Sequence, residues 1–350
     1  MSTRGPGRPD ALSLSGSGLL VRLSFLTEQL ENNTIMRIRL LVSLISVLAL
    51  AANHAQAETR VTYKSAKSSS SYYQMGVQLA EAIKTGTKGD IIVTVEESQG
   101  SVQNVMESAV RAGNYVFTTP PALVSLARNG KAMFEGKSNP KFDAIRALFP
   151  IPSLTMHFVV GKDSGIETFA DLEGKTLLLG KGSFGASEGA KYLALFGLEG
   201  KVEIAEVELS NAVAALKNGQ IDAFVTAGSY PAPNVIEAAA GTGIRVLSFT
   251  DDQIAQTKRT RLVIPAGTYT GQESDIVTTS LPVAAYSTSD MDEAAAYTLT
   301  KTFWEQRENM AEGAAWWAAV SADMLANIPT EIHAGAARYY GEAGIALPAQ

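Results

Sequence analysis

Hydrophobic positions along the chain switch repeatedly between a period of two and a period near 3.6, the mark of short strands alternating with helices. Residues 61–63 predict a strand. A polar stretch, SAKSSSS at 65–71, follows it. Met75, Leu79 and Ile83 then share one face of a helix over 72–83. The polar stretch between them reads as a loop at a helix N-terminus. The unit repeats as a strand at 91–95 (IIVTV), the loop EESQGS and a helix over 102–112. A third strand, 116–118, runs into Pro120 and Pro121, which stop its ladder and stiffen the exit loop. Strands are expected again at 144–148 and 156–160.

The clearest unit is TLLLGKGSFGASEGAKYLALFG at 176–197. It holds a buried strand, a glycine-rich turn, and a helix with Ala190, Leu193, Ala194 and Phe196 on one side, ended by Gly197. Residues 202–209 alternate apolar with acidic side chains, which predicts an edge strand or a solvated one. A helix at 211–218, a strand at 221–225 and the loop TAGSYPAP precede a helix opening at Asn234. Strands follow at 245–249 and 278–285, where Pro282 marks an edge or a bend. The last part is mostly helical, over 291–310, 314–327 and 334–341. Strand–loop–helix units in series predict an α/β layered fold, with ligands held beyond the C-terminal ends of the strands. The loops at 65–71, 98–101, 118–121, 180–187 and 226–231 all occupy that position, so one shared cleft is expected.

The ends of the chain refine this picture. From Met36 the sequence runs through Arg37 and Arg39 into an apolar stretch and then Ala55-Gln56-Ala57, the three parts of a cleaved signal peptide. Residues 36–57 are therefore read as the signal peptide and 1–35 as a gene-model extension. With the five Arg and three Asp/Glu of residues 1–57 set aside, the net charge of −6 becomes −8. An acidic chain with no basic tract argues against nucleic acid. There is no cysteine, hence no disulfide, thiol nucleophile or lipid-bearing cysteine. An exported chain of this kind fits a free periplasmic protein.

Candidate chemistry narrows by elimination. Gly180, Gly182 and Gly185 match G-x-G-x-x-G between a strand and a helix, which raises a dinucleotide site. Export and the mid-chain position count against it. Gly174-Lys175-Thr176 lacks the upstream glycine of a P-loop, since Phe169 stands there. His157 and His333 are far apart and have no metal-ligand spacing. No G-x-S-x-G elbow occurs. Trp304, Trp316 and Trp317 read as packing. What remains is a cleft of hydroxyls, glycines and backbone amides, with Lys67 and Lys181 in two of its loops. That suits binding a small anion without catalysis.

Six blocks in order carry a family resemblance. Ser70-Ser71-Tyr72-Tyr73 resembles a helix-opening G-T-Y-Y, and ESQGSV at 97–102 an E-x-x-G-S-V with Asn104 in place. Residues 163–174 resemble D-S-G-I-x-x-x-x-D-L-x-G, and LKNGQIDAF at 216–224 resembles L-x-x-G-x-I-D-A-F. IPAGTYTGQ at 264–272 and residues 332–345 supply the last two. Together they resemble the solute-binding subunits of TRAP transporters, in the TAXI group (TRAP-associated extracytoplasmic immunogenic proteins). The resemblance spans nearly all of 62–345. It implies a type II periplasmic binding protein fold, two α/β lobes with a ligand cleft between them. Lobe I would be 58–161 plus 279–350 and lobe II 162–278, with crossings near 156–161 and 278–285. It also implies a membrane permease as partner, and small carboxylates such as glutamate, glutamine or 2-oxoglutarate as ligands. The chain departs from the family at SAKSSSS, at Thr118-Thr119-Pro120-Pro121, and at the central turn, where Lys181 and Phe184 are unusual.

The expectation is a monomeric periplasmic receptor, with no cofactor, metal or catalytic residue, that takes a small organic anion to a TRAP-type permease. Lys67, Ser70, Ser71, Tyr72, Gln99, Gly100, Ser101, Thr118 and Thr119 would line the cleft from lobe I. Ser183, Gly185, Ala186 and Ser187 would hold a carboxylate, Ser229 and Tyr230 would close the far side, and Lys67 with Lys181 would suit a dianion. The alternatives are a ligand sensor for a signalling partner and, more remotely, an enzyme on the same fold.

Overall fold

The computed structural model describes residues 58–348 apart from Ala112, Gly182 and Val207. The expected extension and signal peptide lie outside the described residues. The described chain forms a mixed sheet flanked by helices. Strands β1 (Thr59–Lys64), β2 (Ile91–Glu96) and β3 (Tyr115–Thr119) are parallel, with β1 in the middle. Two long strands follow in space, β4 (Ile145–Gly161) and β10 (Ile276–Thr288), antiparallel to each other. Beyond them lie β5 (Thr176–Leu178), β6 (Glu203–Ile204) and β7 (Ala223–Gly228). The order is β2-β1-β3-β10-β4-β7-β5-β6, with β8 (Ile244–Val246) beside β4 and β9 (Thr260–Ile264) beside β10.

The register shows where the chain passes between the two halves. Tyr286 to Ala284 of β10 pair with β3, whereas Ser280 to Ile276 pair with β9. In β4, residues 145–155 pair with β10, and from Thr155 onward the strand pairs with β7. The two halves are thus α/β lobes joined by two crossing strands. Met156 to Gly161 pair within the second half.

Several expected elements take a different form. The strands expected at 144–148 and 156–160 are one strand, running through Pro150 and Pro152. A proline is tolerated where its missing N–H faces no ladder partner, and the β4–β10 register shifts between Leu281 and Val283 and again between Ala285 and Tyr286. Pro121 does not merely end β3. It opens helix α3 (Pro121–Arg128) at the position where its fixed φ suits a helix. The acidic alternation at 202–209 yields only the two-residue β6, both residues exposed, then a short 3-10 turn at Leu209–Asn211. Residues 314–327 form two 3-10 helices rather than one α-helix.

The remaining helices follow the pattern. They are α1 (Ser71–Gly86), α2 (Ser101–Glu107), α4 (Phe184–Leu195), α5 (Ala212–Lys217), α6 (Pro233–Thr242), α7 (Asp251–Thr257), α8 (Glu293–Gly313) and α9 (Ala334–Glu342). Met75, Leu79 and Ile83 bury the inner face of α1. In the second lobe, strand alternation divides side chains between two packed faces. Phe158, Val160, Leu177 and Val225 belong to one cluster with Tyr192, and Val159, Leu178 and Phe224 belong to another with Ala215 and Val235.

Candidate functional site

The site begins with how the ends of β1 and β3 are tied. Asn104 of α2 is fully buried, and its Nδ2 donates to the carbonyls of Ser65 (2.7 Å) and Thr118 (2.9 Å). Ser98 Oγ donates to Ser65 O at 3.0 Å and accepts from Gly100 N at 2.9 Å. Tyr63 Oη and Thr118 Oγ1 share a hydrogen bond of 2.5 Å, and burial pushes the Tyr63 hydroxyl up to about 12. Tyr72 Oη donates to Pro152 O at 3.0 Å, and burial holds its hydroxyl well above the usual tyrosine range. Ser70 caps α1, its Oγ accepting from Tyr72 N at 3.2 Å. Glu97 does not face the site as a free acid. Its Oε1 accepts from Ser68 N at 2.6 Å, and the Ser68 side chain, then its backbone, holds the carboxyl low.

The second lobe supplies a matching surface. Ser183 caps α4: its Oγ accepts from Ala186 N at 3.0 Å and donates to Gly180 O at 2.8 Å. A Cβ on Gly185 would stand 2.6 Å from the Ala227 Cβ, so only glycine lets α4 sit this close to β7. That contact gives the last glycine of the G-x-G-x-x-G match a packing role. Glu188 anchors the same helix. Arg259 Nε and Nη2 donate to its two carboxylate oxygens at 3.0 and 2.8 Å. At the start of α6, Asn234 Nδ2 donates to Thr226 Oγ1 at 3.0 Å.

Between the lobes lies a cavity of about 70 Å³. Of the residues expected at the site, Lys67, Ser70, Tyr72, Gln99, Gly100, Ser101 and Thr118 line it from the first lobe, and Ser183 and Gly185 from the second. Ser65, Ala66 and Ser69 extend the first loop's contribution. Leu154 comes from β4, and Phe184, Leu209, Val225, Thr226, Ala227 and Asn234 complete the wall. The polar pair Thr226–Asn234 had a sequence signal, the Gly/Pro loop opening a helix. The reading stopped at Ser229 and Tyr230 within that loop.

Seven expected residues stand outside that lining. Lys181 is outside the cavity, its Nζ 2.9 Å from Glu206 Oε2, with both side chains about three-quarters exposed (76% and 75%). The acidic run after β5 supplies that partner, and the Glu206 carboxylate raises the Lys181 ammonium above its usual range. Thr119 is buried in β3, paired with Ala284 of β10. Ser71 and Ser229 are engaged with each other: Ser71 Oγ accepts from Ser229 N at 2.9 Å, a buried bond between the lobes. Ser229 and Tyr230 line a second cavity of about 250 Å³, with Thr155 and Trp316. Ala186 and Ser187 line a third space of about 440 Å³, which shares Gln99 and Ser183 with the first.

Lys67 is the one charged side chain on the inner cavity wall among the described residues. The first turns of α1, α4 and α6 also reach that wall and bring the positive ends of their helix dipoles to it. A small anion is the charge type such a lining favours. Among the described residues no three His, Asp or Glu side chains gather as a metal site.

The NMT1-like family matches residues 64–344 of the chain. Among solved structures, the periplasmic binding protein BugD superposes with a TM-score of 0.54 at 11% identity, over 83% of this chain and 99% of its own. A periplasmic transporter gives a TM-score of 0.52 at 8% identity, over 82% of this chain and 93% of its own. At these identities the likeness shows the fold alone, that of periplasmic binding proteins.

Proposed function

The chain belongs to the NMT1-like family, and from that membership, its fold and its cleft we propose that it is a periplasmic solute-binding receptor for a small organic anion. The observation that carries the reading is the inner cavity: one lysine, no carboxylate, and the N-terminal turns of three helices on its wall. A carboxylate seated there would meet Lys67 and the hydroxyls of Ser70, Ser101 and Ser183, and would be excluded from water by Tyr72, Leu154 and Phe184. None of these groups is arranged as a nucleophile with its base, so the site binds and does not react.

The partner that fits the sequence blocks is a TRAP-type permease, which takes solute from the receptor and draws on an ion gradient. Lys181 is turned to Glu206, so the cavity offers one cation rather than two, and a single carboxylate group is the better fit to it.

Thermal-shift screening of residues 58–350 against organic acids and amino acids tests the receptor reading. A ligand at a hundred times its Kd adds about 2.7 kcal/mol of stability. If carboxylates leave the melting curve unmoved while neutral or cationic solutes shift it, the anion reading fails. The transport route is tested by solute uptake into cells carrying the receptor and its permease. Uptake abolished by ionophores and retained on ATP depletion supports a TRAP system, and the reverse overturns it.

A further inference from the structure

The two spaces that meet at Gln99 and Ser183 differ in size and in chemistry. The inner cavity measures about 70 Å³. It is the smaller of the two spaces, and among the described residues its only charged side chain is Lys67. Glutamate would bring an ammonium and a second carboxylate as well. The wall has no acidic side chain for the first and one lysine for both carboxylates. Burying an unpaired charge is costly.

The outer chamber is roomier, about 440 Å³, and Val102, Met133 and Ala186 are on its wall. Two of its polar side chains are already engaged. Gln103 Oε1 accepts from Gln99 N at 2.7 Å, and Gln103 Nε2 donates to Glu107 Oε1 at 2.6 Å. Lys137 is exposed, and its Nζ donates to Met133 O at 3.3 Å. Val102, Met133 and Ala186 give it an apolar wall beside the Gln99 and Ser187 side chains, and a methionine adapts its shape to what it packs against. The passage between the two spaces is narrow. A Cβ on Gly100 would stand 3.9 Å from the Ser183 Cβ on the opposite lobe.

We propose that the ligand is an amphipathic monocarboxylate whose head fills the inner cavity and whose apolar tail passes between Gln99 and Ser183 into the outer chamber. The proposal rests on the carboxylate reading of the inner cavity and adds to it the class of molecule. It replaces compact dicarboxylates and glutamate with chains of several apolar carbons.

The test is calorimetric titration of residues 58–350 with acetate, butyrate, hexanoate and octanoate, and with glutamate and 2-oxoglutarate. Affinity should rise about fourfold for each methylene that enters the chamber, so octanoate should bind far more tightly than butyrate. Ser187→Glu places a carboxylate on the chamber wall at an exposed position, and should lower the octanoate-to-butyrate affinity ratio at least fivefold. Tighter binding of glutamate or 2-oxoglutarate than of hexanoate overturns this inference and leaves the receptor reading standing. An unchanged ratio in Ser187→Glu, with long chains still preferred, also overturns it, because the tail would then lie elsewhere. If none of the six anions binds, this inference falls, and the receptor reading is decided by the broader thermal-shift screen.

Discussion

The hydrogen bond from Ser229 N to Ser71 Oγ makes a specific claim about closure. It joins residues 158 apart in the chain, one at the start of α1 and one just after β7, and both side chains are buried. Ser71→Ala would leave the Ser229 N–H buried with no acceptor when the lobes are closed and solvated when they open. An unsatisfied buried donor costs about 1–3 kcal/mol. A loss of about 2 kcal/mol shifts the open-to-closed ratio roughly 30-fold. The Kd of every cleft ligand should rise by up to that factor, because the binding-competent state is depleted and no ligand contact is removed. Gly228 supplies an internal control. A Cβ there would stand 2.6 Å from Ser71 Oγ but 3.8 Å from Ser71 Cβ. Gly228→Ala should therefore weaken binding in the wild-type chain and be nearly neutral in Ser71→Ala. Calorimetry with two unrelated cleft ligands measures the cycle, and small-angle scattering of the free protein measures the opening. Equal weakening for both ligands and a larger radius of gyration for Ser71→Ala are expected. A change confined to one ligand would mean that Ser71 contacts solute directly, and additive effects in the cycle would refute the steric reading of Gly228.

Three further outcomes follow from the site and the core. Lys67→Met should raise the Kd of a carboxylate ligand about 10- to 100-fold, the loss of one charge-assisted hydrogen bond of about 1.5–3 kcal/mol, whereas Lys181→Met should leave it within about twofold; equal losses by calorimetry would restore both lysines to the site. His157 is fully buried, and burial lowers its imidazole to about 4 from the usual 6.5. The unfolded chain thus takes up that proton first, so stability is full above about pH 6.5, falls as pH drops toward 4 and then levels, by about 3 kcal/mol in all; in urea titrations across that range His157→Gln should show a shallower decline, and an identical one would rule His157 out as the cause. Asn104→Asp should lower the melting temperature by several degrees, since the Nδ2 donor to the Ser65 and Thr118 carbonyls is replaced by a carboxylate oxygen facing them, and Asn104→Asp melting like wild type would show those bonds to be dispensable.

The sequence made most of the strands and helices legible because burial is periodic: Met75, Leu79 and Ile83 mark α1, and Leu177 and Leu178 sort onto opposite faces of β5. Prolines were harder to read. Pro150 and Pro152 split a strand on local grounds, yet the pairing with β10 carries the strand through them. Pro121 looked like a stop and is a helix start. The loops that build the cleft were visible as polar breaks after strands, and nine of the sixteen expected residues line the inner cavity. The others were obscured by facts that only the folded chain supplies. Nothing local says that Glu206 will reach Lys181, that Ser71 and Ser229 will bond to each other, or that Ser229 and Tyr230 will face a different cavity. Thr226 lies in a loop expected at the cleft and Asn234 at an expected helix start, but their pairing depends on the register of β7 against the start of α6.

The two crossing strands have a mechanical consequence. Pro150 and Pro152 in β4 and Pro282 in β10 all lie where the chain passes between the lobes, and none has an N–H to give to a ladder. Ladder bonds are thereby thinned in this band, where the β4–β10 register also shifts. Two threads side by side also restrict the geometry. One thread would act as a swivel, free in every direction, whereas two define an axis. Opening and shutting then reduce to travel along one coordinate, so a solute entering between the lobes waits for a single swing and not for a search through relative orientations.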